Sequence, residues 1–238
     1  MGGVNMQMLA RAFLAWELTN SVTAVAIAGM GFAPPMLLFS LFGGTLADRL
    51  DRKKIIMLGQ FGSILIVIFI GISITTDTVS IGHLIAAAFF QGTFFAFMSP
   101  ARTAMIPQLV DKDQISNAIA LNSGNMAIMT LAGPAIGGII YATGGPEVAY
   151  FTVAGMCALA LIFTSLIRNP KPPKPKNTTR VWRDILEGLQ YAQRNKTVLM
   201  LLLLVLGTTL LSYPVRSLMP AQIEVVFLRD VKSLGLLM

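Results

Sequence analysis

Charge is what this sequence has least of. Charged residues make up 12% of its 238 positions, where a soluble domain carries about 25%. That excludes an ordinary water-facing surface for most of the chain. Cysteine and histidine occur once each, as Cys157 and His83. An intrachain disulfide is therefore excluded, and so is a metal cluster of Cys and His. No H-E-x-x-H, G-x-S-x-G or phosphate-loop pattern occurs. The expectation is a protein that is not an enzyme and needs no cofactor or metal. Met1 to Asn5 contain no basic stretch, so no cleavable signal peptide is expected.

What the chain does have is apolar residue, 55% of the total. These residues fall in blocks of roughly 20, the length of helix that crosses a hydrocarbon layer about 30 Å thick. Unpaired backbone is costly in lipid, so such blocks predict helices. Seven spans are predicted: Val4–Thr19, Val22–Ala47, Ile55–Thr75, Ile81–Ser99, Asn117–Tyr141, Val148–Ile167 and Thr197–Val215. Leu234–Met238 reads as the first turn of an eighth. Pro34–Pro35 predicts a break near the middle of the second span, and Pro214 one near the end of the seventh.

The connections alternate in charge. Asp48–Lys54 carries Arg49, Arg52, Lys53 and Lys54; Pro107–Ser116 carries Lys112; Arg168–Lys196 carries eight Lys or Arg. Asn20–Ser21, Asp77–Ser80 and Ala142–Glu147 carry none. Lys and Arg collect on the cytoplasmic side of membrane proteins. The basic loops and the N-terminus are therefore expected in the cytoplasm. The net charge of +7 follows from this orientation, and no nucleic-acid partner is needed to explain it.

Three parts are expected: residues 1–167 as a six-span bundle with a short first span, 168–196 as a cytoplasmic linker, and 197–238 as the start of a second bundle. The linker opens with a Pro-rich basic run, Asn169–Asn177, that favours an extended chain. Trp182, Ile185, Leu186 and Leu189 then share one helical face, as in an interfacial helix. That helix reads either as a connector or as a regulatory or partner-binding element.

The most specific segment is Gly43-Gly-Thr-Leu-Ala-Asp-Arg-Leu-Asp-Arg-Lys-Lys54. It resembles the cytoplasmic signature of the major facilitator superfamily, G-x-L-A-D-R-x-G-R-K-x, between the second and third helices. Gly44, Leu46, Ala47, Asp48, Arg49, Arg52 and Lys53 match, and Asp51 stands where the signature has glycine. Gly44 is expected to admit a close helix neighbour. Asp48 is expected to pair with Arg52 or to face a helix N-terminus. The resemblance implies that Gly44, Asp48, Arg49, Arg52 and Lys53 form a gating motif that latches the cytoplasmic face to the second half.

Span five contains Gly133-Pro134-Ala-Ile-Gly137-Gly138, which resembles the antiporter motif G-P-x-x-G-G of exporters. Gly133 and Gly137 share a face suited to close packing, and Pro134 removes one backbone hydrogen bond and bends the helix. The alternative is ordinary small-residue packing. In span four, Ala88-Phe-Phe-Gln91-Gly92 keeps the glutamine and glycine of R-x-x-Q-G but has Ala88 for its arginine. Proton coupling through that arginine is therefore in question. Ser99–Val110 and Asn117–Asn122 are similar to the enterobactin-exporter-like branch of the superfamily.

Polar residues inside spans are costly and usually face a cavity. Arg11, Glu17, Gln91, Asn122 and Asn125 are the candidate substrate-cavity residues. A central arginine costs roughly 2.5–3.5 kcal/mol on insertion scales. The alternatives are interhelical hydrogen bonds and, for Glu17, an interfacial position.

The fold expected is all-α, a polytopic membrane helix bundle of major facilitator type. The function expected is secondary active export of small amphiphilic compounds, drug-like molecules or siderophores, by alternating access in a bacterial inner membrane. Its partners would be the lipid bilayer, the small-molecule substrate and, as the resemblance implies, protons. The rival expectation is a non-transporting membrane sensor or assembly factor built on the same bundle. Span one is only about 24 Å long at 1.5 Å per residue, and the chain stops in an apolar stretch. A piece truncated at both ends is therefore expected, with the C-terminal half of the same transporter missing.

Overall fold

The computed structural model describes residues 2–167, 190, 191, 193–201, 203, 204 and 207. Six helices account for most of them: α1 (Gly2–Thr19), α2 (Val22–Met30), α3 (Ala33–Arg49), α4 (Arg52–Thr75), α5 (Ile81–Leu109) and α6 (Ile115–Leu166). A 3-10 turn, Lys112–Gln114, joins α5 to α6. No strand occurs among the described residues. The fold is an all-α polytopic bundle. Residues 197–201, inside the predicted seventh span, are helical. The proline-rich run, the amphipathic stretch around Trp182, Pro214 and the predicted eighth span lie outside the described residues.

The helix ends follow from local chemistry. Ser21 caps α2, its side chain accepting from Ala24 N. Asp51 caps α4, accepting from Lys53 N at 3.0 Å and Lys54 N at 3.4 Å. The α4 helix therefore begins at Arg52, three residues before the predicted Ile55. The turns after α1 and α4 place Asn20 (φ 47) and Asp77 (φ 53) in the left-handed region, which these two residue types tolerate better than most.

Two predicted boundaries are corrected. The second span breaks at Gly31–Phe32, not at Pro34–Pro35. The prolines sit in the first turn of α3, where a missing N–H costs no helical hydrogen bond. At Gly31 an added Cβ would meet Ala88 Cβ at 3.0 Å and the Ile85 carbonyl oxygen at 3.3 Å, so the break lies where α5 comes close. Span four does not end at Ser99: α5 continues through Pro100 and Pro107 to Leu109. Packing holds this extension, because Ala101 and Met105 join Ala47, Ile55 and Ile56 in a small core. The predicted connection between spans five and six, Ala142–Glu147, is confirmed: the run Ile115–Leu166 is two helices that meet at a kink at Gly145 (φ 82, ψ 175). That backbone region is accessible almost only to glycine, and the following Pro146 favours an extended residue before it.

Contacts fix the direction of each pass. The starts of α4 and the ends of α3, α5 and α6 meet at one end of the bundle. Glu17 meets Tyr141 at the other end, and Phe151 packs on Gly71 near the end of α4. The helices thus cross back and forth, with α6 crossing twice around Gly145. Its run with the preceding turn, Lys112–Leu166, covers 55 residues, about 80 Å of helix, more than twice a hydrocarbon layer. Arg52–Thr75, Ile81–Leu109 and Val22–Ser40 are also long and apolar enough to cross a membrane. The α1 helix packs on α6 and α2, α3 on α5, and α4 on both α5 and α6. The main core holds Phe13, Leu14, Val67, Ile70, Leu84 and Tyr150. Large apolar side chains such as Leu38, Leu58, Phe90 and Phe163 point outward, as suits a lipid solvent.

Candidate functional site

The basic end is built around Arg52. Its Nη2 lies 3.5 Å from Asp48 Oδ1. Its Nε donates to the Ala47 carbonyl at 3.0 Å, and its Nη1 to the Ala104 carbonyl at 2.7 Å. One guanidinium therefore ties the end of α3 to the end of α5 and the start of α4. The Ala47 carbonyl belongs to the last turn of α3, where positive charge is favoured, and that of Ala104 lies five residues before the end of α5. Lys53 makes a similar tie to α6: Nζ donates to the carbonyls of Ser165 (2.8 Å) and Ile167 (2.7 Å). Of the two pairing options for Asp48, the one with Arg52 is formed, while the Asp48 side chain stays 70% exposed. Arg49 is exposed beside it.

Gly44 does not have its expected role in this bundle. A Cβ there would meet nothing within 4 Å, whereas one on Gly43 would run into the Ala96 carbonyl oxygen. The close approach of α3 to α5 is made at Gly43 and again at Gly92, where an added Cβ would strike the Phe32 carbonyl oxygen. The two positions of a Gly-Gly pair point about 100° apart on a helix, and the pattern alone does not say which faces the neighbour.

In α6, Gly133, Pro134, Gly137 and Gly138 are all buried. A Cβ on Gly133 would lie 3.0 Å from Asn5 Cβ, and one on Gly137 would lie 3.1 Å from Met6 Cγ. The motif is the surface on which the start of α1 rests. Asn5 Nδ2 adds a bond to the Met129 carbonyl at 3.0 Å. The run stays helical through Pro134, and its one interruption is at Gly145.

The five polar cavity candidates do not share one environment. Arg11 and Gln91 are inside the bundle, 3% and 4% exposed. Gln91 Oε1 has no hydrogen-bond partner among the described residues. Glu17 is exposed and accepts a bond from Tyr141 Oη at 2.9 Å. Asn122 is half-buried and Asn125 exposed on the first arm of α6.

The chain matches the MFS_3 family, described as "Transmembrane secretion effector", over residues 1–238. It belongs to the major facilitator superfamily. Among its relatives is an uncharacterized MFS-type transporter, YfiS, of Bacillus subtilis, 28% identical over 184 residues, which are 76% of this chain and 43% of that protein. The enterobactin exporter EntS of Shigella boydii is 29% identical over 193 residues, covering 79% of this chain and 43% of that protein. The same exporter of Salmonella choleraesuis is 29% identical over 178 residues, covering 73% and 40%. The matched region spans about two fifths of the length of these relatives.

Within this major facilitator chain, sequence reasoning missed several linking residues. Asp51, read as a departure from the signature, is the cap of α4. Gln60 Nε2 donates to Thr164 Oγ1 at 3.1 Å, joining α4 to α6. Gln7 is buried one turn before Arg11. Tyr141 enters the sequence analysis only as the end of span five, and Tyr150 not at all. An S/T/D/N residue directly before a helical run was the available signal for Asp51. Gln60 and Tyr141 carry no local signal, because their partners lie 104 and 124 residues away.

Proposed function

We propose that this chain supplies the N-terminal bundle of a secondary active exporter for small amphiphilic compounds, siderophores or drug-like molecules. Residues 1–167 form the bundle, 168–196 the linker and 197–238 the start of the second bundle. The protein resides in a bacterial inner membrane, with its N-terminus and basic end in the cytoplasm. The observation that carries this reading is the basic end. Arg52 and Lys53 are committed to carbonyls of three helix ends, while the Asp48 carboxylate reaches outward from that rigid platform. This arrangement suits a latch whose other half lies on a second bundle. Binding at the interface of two such halves, exposed to each side in turn, is the general scheme of transporters built from repeats.

The polar candidates Arg11, Glu17, Gln91, Asn122 and Asn125 would serve the substrate path. Gly133, Pro134, Gly137 and Gly138 would be the surface on which α1 moves. Proton antiport is the coupling proposed. The enterobactin-exporter relatives make a catecholate siderophore the first substrate to try.

The test uses bacteria that lack their own siderophore and drug exporters and express the complete reading frame carrying this chain. Enterobactin and ethidium are followed in cells and medium. Export of either compound, abolished by a protonophore and strongly reduced by Asp48→Asn at equal membrane abundance, is the expected result. If both compounds distribute as in cells without the protein, the exporter reading fails and a non-transporting role replaces it.

A further inference from the structure

The α1 helix carries two charges, Arg11 and Glu17, and residues 2–167 contain two tyrosines, Tyr141 and Tyr150. One of these charges is bonded to a tyrosine, and the other lies near the second. Tyr141 Oη donates to Glu17 Oε2 at 2.9 Å. The second pairing follows from register. Gly3 abuts Val153 and Cys157, since a Cβ there would lie 3.6 Å from Val153 Cγ1 and 3.8 Å from Cys157 Sγ. The second arm of α6 runs back against α1 from the Gly145 turn. Two turns along α1 from Gly3 is Arg11, and the matching step along α6 leads to Tyr150. Arg11 and Tyr150 are 3% and 1% exposed, and lie within electrostatic reach of each other.

The tyrosines flank the Gly145 turn, one at the end of the first arm and one near the start of the second. The first arm of α6 is therefore tied to α1 through Glu17, and the second arm brings Tyr150 near Arg11. The rings could be supplied by phenylalanine: Phe13 packs against Tyr141 with ring centroids 5.5 Å apart. The hydroxyls are what phenylalanine would not supply, and a buried hydroxyl is retained where it has a polar partner.

We propose that Tyr141 and Tyr150 are positioning residues for transport, acting through Glu17 and Arg11, so that a change at either α1 charge reaches both arms of α6 across the Gly145 turn. The inference rests on the exporter reading above. It assigns neither tyrosine to the substrate.

The test is ethidium transport by the complete protein in proteoliposomes, comparing wild type, Tyr141→Phe, Tyr150→Phe, Glu17→Gln and the double variant Tyr141→Phe/Glu17→Gln. Turnover and KM are measured with the thermal midpoint in detergent. Each Phe variant should lose turnover by about tenfold, the scale of a hydrogen bond to a charged group, with KM within about twofold. The double variant should be no slower than Glu17→Gln alone, because residues acting through one contact are not additive. Wild-type turnover in both Phe variants would overturn the inference while leaving the exporter reading intact. So would multiplied losses in the double variant, or losses that only track a lower midpoint. Should a Phe variant fail to fold, Glu17→Gln tests the Tyr141 tie from the other side, and unchanged turnover there overturns it. No ethidium flux in wild type overturns the exporter reading and the inference together.

Discussion

At the scale of single residues, Asp51 shows how a departure from a pattern acquires a local reason. Glycine tolerates the backbone of a tight connection, but it brings no acceptor for the first N–H groups of α4. Asp51 supplies one, for Lys53 N and Lys54 N. Replacing such a cap by alanine costs about 0.5–2 kcal/mol, and by glycine only a few tenths. Asp51→Ala should therefore lower stability in detergent unfolding by that amount, and Asp51→Asn should retain most of it. Equal unfolding curves for Asp51→Ala and wild type would remove the cap from the account. Arg52 is the opposite case. Its type and place were legible in the chain, but its bond to Ala104, 52 residues on, was not. The rigid fork of a guanidinium suits its three separate contacts, and a lysine could not reproduce them.

At the scale of elements, α3 and α5 show what a glycine pair does between helices. Gly43 and Gly44 look alike in the chain. In the bundle Gly43 faces the Ala96 carbonyl and Gly44 faces open space. Gly43→Ala forces backbone apart, and overpacking of this kind typically costs about 1–3 kcal/mol. Gly44→Ala should leave the stability of this bundle unchanged or slightly raised, since alanine is the better helix former. Thermal midpoints of the two variants check this, and a Gly44→Ala loss equal to that of Gly43→Ala would contradict the packing. The helix boundaries show the same division. Breaks at Asn20–Ser21 and Asp77–Ser80 were legible because polar turn residues interrupt apolar runs. The continuation of α5 through Pro100 and Pro107 was not, because proline signals a local cost while Ala101 and Met105 bring a distant gain.

At the scale of the molecule, charge is divided between the two ends. Arg49, Arg52, Lys53, Lys54 and Lys112 lie, with Asp48, Asp51, Asp111 and Asp113, at the end where α3 meets α4 and α5 meets α6, while the turns at the other end of residues 2–167 carry Glu17, Asp77 and Glu147 and no Lys or Arg. By the positive-inside rule, the proposed orientation puts the first end in the cytoplasm. In a Cys157→Ala background, Thr78→Cys should react with an impermeant maleimide on intact spheroplasts. Lys112→Cys should react only after permeabilisation. The reverse pattern would invert the proposed orientation.

Hydropathy and loop charge, read along the chain, determined the membrane class and the alternation of apolar helices with polar turns within residues 1–167, and the residues of Gly43–Lys54 carried the resemblance to the superfamily. These are local properties, because each span must satisfy its own backbone and match the bilayer by itself. Only the tertiary structure decided that Gly43 rather than Gly44 makes the close approach, that Arg52 and Lys53 bind the ends of α5 and α6, and that Glu17 bonds to Tyr141 while Arg11 lies near Tyr150, beside the Gly145 turn. Those partners are about 50 to 140 residues apart, and the packing of whole helices, not any local pattern, brings them within reach.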